Sequence, residues 1–192
     1  MHSFLFQVSP QHEDDLINLV LLRVIVCLVA PGDCLTFAAM FNRQEASRIR
    51  EEFWTTFGRY MSPVPSAEGM KINWINYRTA FKDVYFRMEA NQKSAVISIT
   101  IEHPDAGIRE LYFQQFQELK TVLHATLEEE WGWHAHRRIA EDKIISSIDK
   151  ELPGISVFNK EQWPELISFF KPRIMALDRF WEDARYSFEA LR

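Results

Sequence analysis

The chain has 192 residues, 47% hydrophobic, 14% aromatic and 26% charged, with a formal net charge of −5. That balance suits one domain with a large core and excludes wholesale disorder, and 6 Gly and 8 Pro leave no room for a low-complexity linker. The acidic balance argues against a protein given over to phosphate backbones. Both cysteines, Cys27 and Cys34, precede Met40, which excludes a disulfide framework or thiolate metal site downstream.

Residues 1–39 read as an extension outside any packed unit. Leu16 to Ala30 is strongly apolar but is interrupted by Arg23, whose insertion at mid-span costs ~2.5–3.5 kcal/mol. The run is also shorter than the ~20 residues that cross hydrocarbon. A secretory signal needs a basic leader, whereas His12, Glu13, Asp14 and Asp15 precede this run. The reading that fits these features is upstream sequence translated ahead of a native start at Met40. An added helix from near Asp14, packed on the domain, and an atypical anchor are the alternatives. No membrane span is expected, and the protein is placed in the cytoplasm.

From Met40 to Arg192 a single α+β domain is expected. Asn42 and Glu45 have the spacing of a capping box, and Ala46, Ile49, Phe53, Phe57 and Tyr60 form one helical stripe. Ser62-Pro63-Val64-Pro65 ends that helix. Met70 to Tyr77 is rich in β-formers and predicts a strand. Val84, Phe86 and Met88 alternate with Tyr85 and Arg87, and Ala95 to Ile101 has the clearest period of two in the chain. The short links between these three runs favour an antiparallel meander. Pro104-Asp105 opens a second helix, predicted to run to about Glu130 with Ile108, Leu111, Tyr112, Phe116, Leu119, Leu123 and Leu127 inward. Trp131 to Arg137 and Ile144 to Leu152 read as a hairpin. A last helix begins at Asn159, with Gln162 as capping partner and a heptad-like seam from Trp163 to Leu191. Pro164 suits its first turn and Pro172 predicts a kink. The order is α-β-β-β-α-β-β-α, a mainly antiparallel sheet with helices packed on one face.

Four segments carry a resemblance. Phe41-Asn42-Arg43-Gln44-Glu45, Asn73-Trp74-Ile75-Asn76-Tyr77, Ile108-Arg109-Glu110-Leu111 and Trp181-Glu182-Asp183-Ala184-Arg185-Tyr186-Ser187-Phe188, with the order of elements, are similar to the DUF4268 family. That is a bacterial domain of unknown function, and the chain resembles its short stand-alone members over roughly 41–192. Longer members place the domain beside nuclease-like modules, so the resemblance implies a role in DNA processing or defence. It implies no catalytic residue.

Several constellations are candidates for chemistry. Pro104-Asp105 with Glu118-Leu119-Lys120 has the spacing of a PD-(D/E)xK nuclease motif, in which two carboxylates hold Mg²⁺ and the lysine polarises a water. On a helix, however, Glu118 and Lys120 lie ~200° apart. His134 and His136 share one face of a strand and, with His124 or His103, are the weak candidates for a metal site. The span 41–93 has nine basic against six acidic residues. There Arg78, Lys82 and Arg87, with Trp74, Tyr77 and Tyr85, form a candidate nucleic-acid-binding face of cations and aromatic rings. The bland alternatives are a charged surface over an aromatic core, solvated histidines, and a seam that packs on its own sheet. No cofactor is expected. The leading expectation is a non-enzymatic interaction domain with a nucleic-acid or protein partner. The alternatives are a metal-dependent nuclease-like enzyme and a homodimer through 163–191.

Overall fold

The alternation from Ala95 to Ile101 makes a central strand, because its four apolar residues Ala95, Ile97, Ile99 and Ile101 are each 0% exposed. The computed structural model describes residues 33–141 and 143–191. The apolar run from Leu16 to Ala30 and the readings attached to it lie outside those residues. Contacts group Arg48–Arg192 as one compact unit, and all packing described below lies within it.

Strands β1 (Val84–Ala90) and β2 (Ser94–Ile101) form one hairpin, and β3 (Gly132–Ala140) and β4 (Lys143–Pro153) form another. β4 joins β2, so the order is β1-β2-β4-β3, antiparallel throughout. The α-helices among the described residues are α1 (Asp33–Met61), α2 (Ala106–Glu118), α3 (Lys120–Leu127) and α4 (Trp163–Ala184), followed by a 3-10 segment, Arg185–Leu191. The α+β class and the antiparallel sheet are as the sequence predicts. No helix among the described residues is long and apolar enough to cross a membrane.

Four local expectations change. Helix α1 begins at Asp33, so Asn42 lies inside it rather than at its start. Residues 70–77 form no strand: the Asn73 side chain accepts from the backbone N–H of Ile75 and of Asn76, both at 3.1 Å, and turns the chain. The second helix is interrupted at Leu119, whose N–H bonds three residues back to Phe116. Its buried stripe is Arg109, Tyr112, Phe113 and Phe116, while Ile108 and Leu111 are 38% and 50% exposed. Two stripes were open to this sequence, and the one that buries three aromatic rings wins. Finally, Asn159 caps a 3-10 turn, Lys160–Gln162, and α4 starts only at Trp163, with Pro172 accommodated inside a continuous helix.

The seam of α4 is consumed by the chain's own core. Phe170, Ile174, Leu177 and Phe188 are 0% exposed and Trp181 is 2%, so these seam residues are spent within the chain, while Ile167 and Leu191 are partly buried. Phe53 meets Trp163 at 5.5 Å and Phe57 meets Phe170 at 6.1 Å, which joins α1 to α4. Trp181 is the hub at the other end, with Phe81, Phe86, Phe116 and Phe188 at 5.5, 5.6, 6.0 and 5.2 Å. Helices α2 and α4 cover the face bearing Ile97 and Ile99. The other face is polar, carrying Arg87, Ser98, Thr100, Glu102, Ser147 and Asp149.

Candidate functional site

Between α1 and β1, residues 62–83 contain no regular element. So long an irregular segment inside a folded unit is uncommon and is usually functional when ordered. Here α4 holds it. Asp178, 6% exposed, accepts from Ala67 N–H at 2.6 Å through Oδ2 and from the Tyr77 hydroxyl at 2.7 Å through Oδ1. Trp181 Nε1 donates to Thr79 O at 2.9 Å, and Trp74 Nε1 to Val64 O at 2.9 Å. Burial first, then the hydrogen bond to Asp178, pushes the Tyr77 phenol well above its ordinary pKa. Ala80 and Asp83, at φ 63° and 66°, hold left-handed backbone that L side chains disfavour.

Two cavities lie on either side of this segment and share Asn76 to Ala80 as their common wall. The larger, about 600 Å³, lies towards α4, where Asn73, Asn76, Asp178, Glu182 and a Glu68–Arg185 ion pair at 2.5 Å surround it. The Tyr186 hydroxyl and then Glu68 raise the Arg185 pKa further, so this cation stays charged. The smaller, about 450 Å³, runs beside edge strand β1, where Tyr77, Arg78, Lys82, Tyr85 and Arg87 line it with no carboxylate among the lining residues. Arg87 lies over the Tyr85 ring at 4.6 Å and bonds to Glu102. Arg78 and Lys82 are exposed and make no ion pair among the described residues.

Five of the six residues expected at a nucleic-acid face therefore meet at one cleft. The sixth does not: Trp74 is 3% exposed and belongs to the core. Tyr77 stacks on Phe86 at 5.1 Å, which leaves Tyr85, 36% exposed with Arg87 over the ring, as the more accessible of the two.

The other candidate clusters do not assemble. Asp105 caps α2 by accepting from Ile108 N–H at 2.9 Å, a bond that lowers its pKa. Glu118 ends the same helix, ~20 Å away at the rise of an α-helix. His134 lies on the polar sheet face, 3.4 Å from Asp149, while His124 accepts from Trp133 Nε1 on the helix-covered side. Among the described residues no group of three metal-ligating side chains converges, and neither His134 nor His136 gains a third ligand. Asp149 also takes Arg137 at 2.9 Å and the Ser147 hydroxyl at 3.0 Å. That hydroxyl donates to the carboxylate rather than to the imidazole, so Ser147 and His134 do not form a hydrogen-bonded Ser–His pair.

Sequence reading missed Asp178 and Glu182, which depend on a contact across some hundred positions. The one trace of Asp178 is its phase: it lies between Ile174 and Trp181 on the buried stripe of α4, where a charge needs partners. Two segments that carry the family resemblance, 73–77 and 181–188, meet at the larger cavity. A model of one family, the domain of unknown function DUF4268, matches residues 49–185. No curated protein and no solved structure matches the chain. The chain belongs to the DUF4268 family.

Proposed function

We propose that this is a non-enzymatic nucleic-acid-binding domain, which holds a single strand by its phosphates in the cleft beside β1. One observation carries the reading: Arg78, Lys82 and Arg87 border one cleft of about 450 Å³ with no carboxylate among the described residues of its wall. Arg87 is partly neutralised by Glu102, so Arg78 and Lys82 supply the unpaired charge. Tyr85 provides the ring on which a base stacks, and ring stacking favours an unpaired strand over a duplex. The net charge of −5 then repels nucleic acid elsewhere and confines binding to this edge. A cytoplasmic role in DNA processing or defence fits the nuclease-like modules beside which longer relatives of this type occur.

The test is a titration of the purified chain with single- and double-stranded DNA and RNA at several salt concentrations, with and without Mg²⁺. Two to three phosphate contacts give log K against log salt a slope of about −1.4 to −2 on a single strand. Arg78→Ala and Lys82→Ala should each weaken binding and flatten that slope by about 0.7. A salt-independent affinity, or none at low salt, refutes the proposal, and Mg²⁺-dependent cleavage refutes its non-enzymatic part.

A further inference from the structure

We infer that the larger cavity is a base-binding pocket, which accepts one nucleobase with an exocyclic amine from a strand lying in the neighbouring cleft. The inference rests on the cleft reading and names what its ligand does beyond the phosphates. The two spaces share a wall, and Arg78 lines both of them. A phosphate on Arg78 therefore places its nucleoside at the mouth of the larger cavity. At about 600 Å³ that cavity falls within the range of small-ligand sites.

Its polar groups are unspent in a way that selects the ligand. Glu182 is half-buried in the wall, yet it makes no hydrogen bond or ion pair among the described residues. Asn73 spends its amide oxygen on Ile75 and Asn76, while the side chain of Asn76 makes no hydrogen bond among the described residues. An idle carboxylate beside carboxamides matches an amino group and the ring nitrogen next to it. Thymine offers only an N–H flanked by two carbonyls, whose lone pairs oppose a carboxylate. By contrast the other carboxylate in the wall, Asp178, is occupied by Ala67 and Tyr77 and serves to hold the loop.

The decisive measurement compares binding of the full chain to oligo(dA), oligo(dC), oligo(dT) and an abasic strand of equal length, at fixed salt. The expected order places oligo(dA) and oligo(dC) about tenfold tighter than oligo(dT), the value of one good amine-to-carboxylate contact, with the abasic strand weakest because it also loses the stack on Tyr85. Glu182→Ala, which removes the acceptor altogether, should erase that preference and leave the salt slope unchanged, with thermal unfolding showing that the fold is intact. Asn76→Ala provides a second variant on a separate element with the same expected loss. Equal affinity for oligo(dA), oligo(dC) and oligo(dT), with a normal salt slope and a weaker abasic strand, overturns the pocket and leaves the cleft standing. Binding to none of them overturns the cleft and this inference together.

Discussion

At the scale of single residues, Asp178 decides whether the loop over the two cavities exists. Its two oxygens take one donor each from residues 67 and 77, more than a hundred positions away in sequence. Asp178→Ala leaves the Tyr77 hydroxyl half-buried and unpaired, and should cost about 2 kcal/mol in chemical denaturation. Tyr77 makes the same bond testable by pH. The fold favours the neutral phenol, so its folded pKa lies above the unfolded value of about 10. A raised pKa contributes stability that is fully present below pH ~10 and lost as pH rises through the folded value. Absorbance titration of the tyrosines should show Tyr77 ionising only with unfolding, and Tyr77→Phe should take one tyrosine's amplitude out of that late step.

At the scale of elements, legibility followed locality. β1, β2 and the β3–β4 hairpin were readable because period two and short links are properties of neighbouring residues. Residues 70–77 were not, since one Asn73 side chain outweighed a run of β-formers by taking two backbone donors. Helix α2 is legible in the sequence but its buried face is not, because Ile108 and Leu111 compete with Phe113 and only packing arbitrates. Of the candidate site, the cations and Tyr85 were legible by type, whereas the α4 contributions needed tertiary contact. A different tertiary contact, with Ile75, explains Gly58 in the interior of α1, a position that costs about 1 kcal/mol against alanine. A Cβ there would lie 2.7 Å from Ile75 Cδ1. Removing that methyl opens the space, so Gly58→Ala should stabilise an Ile75→Val background by about 1 kcal/mol and the native background by less. Equal gains in the two backgrounds would show that Ile75 is not what keeps residue 58 a glycine.

At the scale of the whole molecule, two carboxylates tie together parts that the chain order keeps apart. Glu102 bonds Arg87 of β1 and Lys143 of β4, spanning the polar face, while Glu129 bonds Arg173 of α4 and the Trp131 indole. Burial alone would raise both pKa values, but the ammonium of Lys143 and guanidinium of Arg87 at Glu102 outweigh it, as do Arg173 and Trp131 at Glu129. Both carboxyls end up below their ordinary value. A depressed pKa contributes stability that is complete above the unfolded value, near 4.3, and is lost as pH falls through the folded one. Urea midpoints should therefore be level from pH ~6 upward to neutrality and fall steadily below pH ~4.5. Glu102→Gln and Glu129→Gln should each cost about 1 kcal/mol at pH 7 and make the acid limb shallower. Because the sites lie on opposite faces of the sheet and share no partner, their losses should add. A double variant that loses no more than either single one would mean that the two faces unfold separately.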